Sequence, residues 1–204
     1  MARRTQADMQ KTRVTLLQTA RKVFTAHGFN ATSMDDLTAQ AGLTRGALYH
    51  HFGDKKSLFQ AVIIEIDQEM DQRLQQITAQ HTDPWQGFLQ RCIHFLEMAL
   101  EPEIQRLILE DARAVLGQQS LDAQQYCISS IENILTTLMK QQIIKHMDCT
   151  ALARFIHGSL NEAAFWIAQS QDGQQTLAQS IDVLTQLLIG LRLDQTASAS
   201  RASK

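Results

Sequence analysis

Two short helices joined by a glycine turn are the feature of this sequence that most limits how the chain folds. Ser33 is a candidate N-cap with Asp36 three residues later, a pattern close to a capping box. The helix that it opens is predicted to end at about Ala41, because Gly42 supplies the positive φ that stops a helix. A second short helix is predicted over residues 45–52. This spacing is typical of the helix-turn-helix.

The second short helix is predicted to bury one face and to present polar side chains on the others. Thr44 is placed to cap it, and Leu48 and Phe52 are four residues apart on the face that we expect to be buried. Gly46 costs roughly 1 kcal/mol relative to alanine inside a helix, so its presence indicates the close approach of another backbone, such as a nucleic-acid phosphate. The residues that point elsewhere are Arg45, Gly46, Tyr49 and His50. The helix is therefore predicted to lie against DNA.

Charge is unevenly distributed along the chain. Residues 1–60 carry nine Lys and Arg against four Asp and Glu, a net charge of +5. Residues 61–204 carry ten against seventeen, a net charge of -7. A basic N-terminal part on an acidic remainder indicates that only the N-terminal part contacts a polyanion.

A pattern of aromatic, glycine and polar residues spans about residues 10–60. It consists of Phe24, the His27-Gly28-Phe29 turn, Thr32, Ala41-Gly42, Arg45-Gly46-Ala47-Leu48-Tyr49, His51-Phe52, Lys55 and Leu58-Phe59. This pattern resembles the N-terminal domain of the TetR/AcrR family of bacterial transcriptional regulators. The resemblance implies base contacts by Arg45 and His50, with arginine the usual reader of guanine. It implies phosphate contacts by Thr32, Thr44, Tyr49, His51 and Lys55, with Gly46 permitting the approach. The whole predicted DNA-binding set is Thr32, Ser33, Thr44, Arg45, Gly46, Tyr49, His50, His51 and Lys55.

Helical periodicity continues to about residue 193 and predicts an all-α fold of nine helices. The sixth helix is predicted over 103–116, the seventh over 122–145, the eighth over 148–169 and the ninth over 175–193. The predicted organisation is a flexible arm over 1–8, a helix-turn-helix domain over 9–53, a connecting helix over 54–80, a ligand-binding and dimerisation domain over 81–193 and a disordered tail over 194–204. Arg3 and Arg4 in the arm either reach into a minor groove or are simply solvated.

The last two predicted helices are each apolar on two sides, which indicates more than one packing partner. In the resembling family these helices form a four-helix bundle with a second subunit, which implies a two-fold homodimer that binds a palindromic operator of double-stranded DNA. A monomer with a thick core is the alternative. The predicted interface residues are Ile156, Leu160, Ala163, Ile167, Leu177, Ile181, Leu184 and Leu188.

Asp111 interrupts the apolar stripe of the sixth predicted helix, and a carboxylate on a buried face needs a partner. That partner is either an arginine, such as Arg113, or a ligand. The resemblance implies a small-molecule effector, here apolar, aromatic or amphiphilic, that releases a repressor from DNA. Two alternatives are a ligand-independent regulator controlled by a protein partner, and a binding or scaffolding module that kept the fold. The candidate pocket residues are Trp85, Phe88, Cys92, Phe95, Asp111, Met139, Asn161, Phe165 and Trp166.

Motifs of other protein classes do not occur in the sequence. It contains no H-E-x-x-H, G-x-S-x-G, G-x-G-x-x-G or P-loop pattern, and its histidines are scattered, so we expect neither an enzyme nor a metal or cofactor. Cys92, Cys127 and Cys149 are widely spaced and indicate buried thiols of a cytosolic protein rather than a disulfide framework. No apolar run is long enough for a signal peptide or a membrane span. We expect a soluble cytoplasmic protein without a membrane partner.

Overall fold

The computed structural model describes residues 6–117 and 121–193, and for residues 121–125 it describes the backbone alone. Within these ranges the chain forms nine helices, of which the sixth begins as a π-helix and continues as an α-helix. They are α1 Gln6–Ala31, α2 Met34–Ala41, α3 Arg45–Phe52, α4 Lys55–Ala79, α5 Pro84–Met98, α6 Ile104–Ala112 with Arg113–Leu116, α7 Leu121–Lys140, α8 Cys149–Gln169 and α9 Gly173–Ile189. The predicted all-α class is confirmed.

The chain divides into two compact units. The N-terminal unit comprises the described residues of Met1–Met70 and Glu101–Leu121, and the C-terminal unit comprises those of Asp71–Leu100 and Asp122–Lys204. In the N-terminal unit, α1 packs on α2, α3 and α6. In the C-terminal unit, α5, α8 and α9 pack on one another. The segment that contains α6 thus belongs with the helix-turn-helix, whereas the sequence assigned it to the ligand-binding domain.

The local signals of the helix-turn-helix form as predicted. Ser33 and Asp36 make a reciprocal capping box, and Gly42 ends α2 in the left-handed conformation with φ 63°. The Thr44 hydroxyl accepts the Ala47 N–H at the start of α3, with 3.3 Å between oxygen and nitrogen. These contacts span three or four residues, which is why short-range sequence patterns suffice to locate them.

Other helix ends differ from the prediction. α7 ends at Lys140 rather than at residue 145, because the chain turns at Gln142, with φ 56°, and Ile144 then pairs with Arg192 in an isolated antiparallel bridge. The same pairing ends α9 at Ile189. α1 starts at Gln6, so residues 6–8 of the predicted arm are helical; Arg3, Arg4 and the predicted tail lie outside the described residues. Among the described helices, none is long and apolar enough to cross a membrane.

Candidate nucleic-acid interface

The buried face of α3 fixes the orientation of its outer face. Leu48 is fully buried and Phe52 is 9% exposed, as their four-residue spacing predicted. They belong to the core of the N-terminal unit, where the Phe24 and Phe59 rings meet edge to face at 5.2 Å between centroids. Because the helix is anchored along this face, its remaining side chains are held towards solvent.

Arg45 lies on the exposed side of α3. Its guanidinium lies 3.3 Å from the Asp35 carboxylate, donates to the Tyr49 hydroxyl at 3.4 Å and stands 5.5 Å from the centre of the Tyr49 ring. The hydrogen bond with Tyr49 and the charge of Asp35 raise the pKa of Arg45. Among the described residues, no atom beyond its chain neighbours and its own helix backbone lies within 4 Å of where a Gly46 Cβ would be. An arginine fork and an open backbone are thus presented together.

The other predicted contacts on α3 and at its ends are also accessible. His50 is exposed and His51 is half-buried, with their rings in an edge-to-face arrangement at 5.5 Å between centroids. Ser33 and Thr44 are exposed, although each hydroxyl also serves as a helix cap. The structure therefore brings most of the predicted DNA-binding set to the outside of the helix-turn-helix.

Thr32 and Lys55 occupy a different environment from the one that the sequence predicted. Thr32 is 3% exposed, and its hydroxyl donates to the Gly28 carbonyl at 2.8 Å. The Lys55 ammonium donates to the Phe29 and Thr32 carbonyls, at 2.9 Å each, and lies 4.2 Å from the Phe29 ring centre. Both side chains already hold the turn at Gly28, where α1 kinks near its C-terminal end, so their polar groups are occupied in this conformation. Their phosphate contacts stay a prediction.

The same turn is held from its other side by α6. The Phe29 N–H donates to the Asp111 carboxylate at 2.7 Å, and the Arg106 guanidinium donates to the His27 carbonyl at 3.3 Å. Gly28 has φ 77°, a backbone conformation that other residues rarely adopt, and a Cβ on it would displace the end of the Arg106 side chain, so the position favours glycine. Asp111 thus has a protein partner, the Phe29 N–H, with Arg106 at 3.7 Å. We call these contacts among residues 27–29, Arg106 and Asp111 the α6 clasp.

A charged cluster reinforces the packing of α6 on α1. Arg21 donates two hydrogen bonds to Glu103, at 2.8 and 2.7 Å, and two to Glu69, at 2.7 and 2.8 Å. Hydrogen bonding to Arg21 lowers the pKa of Glu103, and hydrogen bonds to Glu103 and then to Glu69 raise the pKa of Arg21. Bidentate arginine-carboxylate pairs of this kind fix geometry as well as charge. Neither this cluster nor the α6 clasp was predicted from the sequence.

The candidate pocket residues are distributed over both units. Asp111 is in the N-terminal unit, whereas the other eight are in the C-terminal unit. Trp85, Phe88 and Cys92 are buried, and burial raises the pKa of the Cys92 thiol to about 12. The half-buried residues are Phe95, Met139, Asn161 and Phe165, while Trp166 is 54% exposed. Their role in ligand binding stays a prediction.

A buried ion pair lies in the C-terminal unit. Arg91 donates to Asp71 at 2.7 Å and to the Ser130 hydroxyl at 3.1 Å. The two charged side chains are only 6% and 5% exposed. An ion pair this deeply buried is held by its neighbours as well as by its own attraction, because each charge has lost its hydration.

Helices α8 and α9 each separate into an inner and an outer stripe. Six of the eight predicted interface residues are buried within the monomer, namely Ile156, Leu160, Ile167, Leu177, Leu184 and Leu188, and Ala163 and Ile181 are half-buried. The large apolar residues that remain exposed on these helices are Phe155, Trp166, Val183, Leu187 and Ile189. A groove of about 760 Å³ lies on the outer side of α8 between Arg154 and Gln169.

Comparisons with known proteins agree along the length of the chain. The family model described as "Tetracyclin repressor-like, C-terminal domain" matches residues 85–191, and the model "Bacterial regulatory proteins, tetR family" matches residues 16–62. The HTH-type transcriptional regulator AcrR of Shigella flexneri is 33% identical over 111 residues, a match that covers 54% of this chain and 52% of AcrR. The chain thus aligns with about half the length of AcrR.

Solved structures extend the similarity to the whole fold. A crystal structure of a TetR-family transcriptional regulator from Pectobacterium atrosepticum is 57% identical, with 94% of this chain and 99% of that chain covered and a TM-score of 0.87. The transcriptional regulator FadR from Bacillus subtilis, solved in complex with stearoyl-CoA, is 18% identical, with 88% and 99% covered and a TM-score of 0.71. At this lower identity the likeness concerns the fold alone.

Proposed function

The chain belongs to the TetR/AcrR family of bacterial transcriptional regulators, and we propose that it is a homodimeric repressor that binds a palindromic operator and is released by a small apolar or amphiphilic ligand. The observation that carries the DNA-binding part is the outer side of α3. Arg45, Tyr49 and His50 are exposed there on a helix whose opposite face is anchored in the core. A recognition helix of this kind reads base edges in the major groove.

Within the proposed interface, base reading and phosphate binding fall to different side chains. The Arg45 fork matches guanine, to which arginine donates two hydrogen bonds. Ser33, Thr44 and Tyr49 have hydroxyl groups suited to phosphate oxygens, which set register rather than sequence. Gly46 lets the backbone come close. Arg45 breaks its contacts with Asp35 and Tyr49 when it binds a base, because these two neighbours occupy its guanidinium in the free protein.

The outer stripes of α8 and α9 support the proposed dimerisation. Phe155 is 77% exposed and Leu187 is 66% exposed, although both are large and apolar. Exposed apolar clusters of this kind mark interaction surfaces. A two-fold dimer covers the same stripe on both copies and presents two helix-turn-helix motifs to two half-sites.

Release by a ligand requires that the C-terminal unit influence the helix-turn-helix. The sequence of α6 is joined at both ends to helices of the C-terminal unit, while α6 itself holds the turn at Gly28 in α1 through the α6 clasp. A ligand that binds more tightly to one position of α6 shifts the population of that position. The C-terminal unit buries aromatic side chains such as Trp85 and Phe88, which suit an apolar or amphiphilic effector. FadR, which shares the fold, has been solved with such an amphiphile, stearoyl-CoA.

The proposal is tested by fluorescence anisotropy with DNA from upstream of the protein's own gene against random DNA, at two salt concentrations. We expect a clear preference for the upstream DNA and a footprint of two protomers. Arg45→Ala should reduce that preference about ten-fold to a hundred-fold, the range expected for one lost bidentate base contact. Arg45→Lys is the matched control, because lysine keeps the charge and loses the fork.

The two variants separate base reading from charge. If Arg45→Lys restores the full preference for upstream DNA, Arg45 acts as a charge rather than as a base reader. If a genome-wide selection finds no preferred DNA for the wild type, the repressor proposal is wrong. The same assay then screens effectors, and a ligand that lowers affinity for the selected DNA identifies the chemical class that the C-terminal unit accepts.

A further inference from the structure

The outer face of α8 carries two opposite charges placed symmetrically about a glycine. Arg154 precedes Gly158 by four residues, and Glu162 follows it by four, so all three lie on one face of the helix. Both charged side chains are exposed. Within the described part of the chain, neither of them forms an ion pair, and both line the groove on α8.

This pattern is complementary to itself under a two-fold rotation. If two copies of α8 cross antiparallel with the rotation axis at Gly158, Arg154 of each copy meets Glu162 of the other. An axis at Arg154 or at Glu162 instead brings like charges together, which electrostatic complementarity disfavours. The charges therefore select one register among those that the apolar surface alone permits.

The surroundings of Gly158 suit a close crossing of two helices. Apart from its chain neighbours and the backbone of its own helix, no atom of the described residues lies within 4 Å of where a Gly158 Cβ would be, so the space above the glycine is open. Phe155 and Trp166 project from the same groove, at 77% and 54% exposure, and supply apolar surface around the crossing. Open backbone at the centre, apolar rings nearby and opposite charges on either side are the parts of a self-complementary contact.

We propose that a second copy of this chain docks antiparallel on the outer face of α8, with the two-fold axis at Gly158 and with Arg154 paired with the partner's Glu162. The proposal rests on the proposed homodimer and adds to it the register and the residues that determine it. It assigns Phe155 and Trp166 to the interface, and thereby moves Trp166 from the candidate ligand pocket to the surface between copies.

Cysteine cross-linking tests the position of the axis. The background is the full-length protein with Cys127→Ser and Cys149→Ser, which retains the buried Cys92. Gly158→Cys places the two new thiols at the axis, where the distance between Cα atoms suits a disulfide, about 4.4–6.8 Å. Ala151→Cys is the matched control, because it is exposed on the same helix and its two copies would be roughly 21 Å apart along the helix axis.

We expect a disulfide-linked dimer of the Gly158→Cys variant on mild oxidation and none of the Ala151→Cys variant. Cross-linking of Ala151→Cys, or failure of Gly158→Cys to cross-link while sedimentation shows a dimer, overturns the assigned axis and leaves the homodimer intact. A wild-type protein that sediments as a monomer at every concentration overturns the homodimer itself. Circular dichroism of each variant confirms that it is folded.

Charge reversal tests the ion pairs independently of cysteine chemistry. We expect Arg154→Glu and Glu162→Arg each to raise the dimer dissociation constant at least ten-fold at low salt, because like charges then face each other twice per dimer. The variant that carries both changes restores opposite charges and should return to within about three-fold of the wild type. Single variants that dimerise as tightly as the wild type, or a double variant that is no better than the singles, contradict the proposed pairing.

Discussion

Replacing Asp111 by alanine is the sharpest test of the α6 clasp. The carboxylate accepts the Phe29 N–H at 2.7 Å and is 15% exposed, so little water is available to replace it. Hydrogen bonds to a charged acceptor contribute about 1.5–3 kcal/mol, and the orphaned N–H adds a desolvation cost. The ion pair with Arg106 adds little, because it is 3.7 Å long and Arg106 is 44% exposed. We expect a loss of about 2 kcal/mol in the free energy of unfolding.

Two neighbouring variants calibrate this value. Asp111→Asn keeps a neutral acceptor for the Phe29 N–H and should lose about 1 kcal/mol or less. Glu110→Ala removes an exposed carboxylate whose ion pair with Arg106 is 3.6 Å long, and should change stability by under about 0.5 kcal/mol. Urea unfolding followed by circular dichroism gives all three values, and amide hydrogen exchange at Phe29 reports the contact itself.

The comparison between Asp111→Ala and Glu110→Ala decides whether the contact between Asp111 and Phe29 stabilises the fold. Equal stabilities for these two variants, together with unchanged exchange at Phe29, would show that the contact contributes nothing and that α6 is not fastened to the turn. A loss of stability without loss of operator binding would separate the structural role from the regulatory one. We expect both to change, because the turn at Gly28 lies at the end of α1, just before α2 of the helix-turn-helix.

Three further perturbations follow from the charged groups. Asp35→Asn removes the carboxylate beside Arg45 and should tighten operator binding in the anisotropy assay; weaker binding would show that Asp35 positions the guanidinium instead of competing for it. Asp71→Ala leaves Arg91 buried and unpaired and should cost about 3–5 kcal/mol in urea unfolding, whereas Asp71→Leu combined with Arg91→Met should be nearly neutral. Burial raises the pKa of Asp67 to about 6. The folded state therefore holds this proton more tightly than the unfolded state. The free energy of unfolding should thus fall by about 2–3 kcal/mol as the pH rises from about 4 through 6. Asp67→Asn should remove that fall from the pH profile of stability.

The sequence was sufficient for α2, α3 and α4, because the signals that bound them are local. Caps and the left-handed Gly42 act within three or four residues, and the buried pair of α3 follows from a four-residue spacing. The ends of α7 and α9 could not be predicted in this way. They are set by backbone pairing between residues 143–145 and 191–193, a contact between segments far apart in the chain.

The candidate site was also predicted only where its residues are positioned by local spacing along the chain. The outward side chains of α3 follow from helical periodicity, whereas Lys55 finds its acceptors 26 and 23 residues away. Asp111 finds its donor 82 residues away. An isolated lysine in a first helical turn and an acidic residue on an apolar stripe both signal that a partner is needed, and neither signal identifies the partner.

The two stripes of α8 and α9 show what periodicity leaves open. A helix with two apolar sides has the same sequence pattern whichever of the two sides faces its own core. Here the inner side buries His157, Thr176 and Ser180 among apolar residues, while the outer side exposes the apolar Phe155 and Leu187, so both sides mix polar and apolar residues. In the proposed homodimer, a second copy covers the outer stripe. Burying one such side chain contributes about 1.5–3 kcal/mol, so the free energy of unfolding should increase with protein concentration, and a midpoint that is independent of concentration would mean that no copy covers this surface.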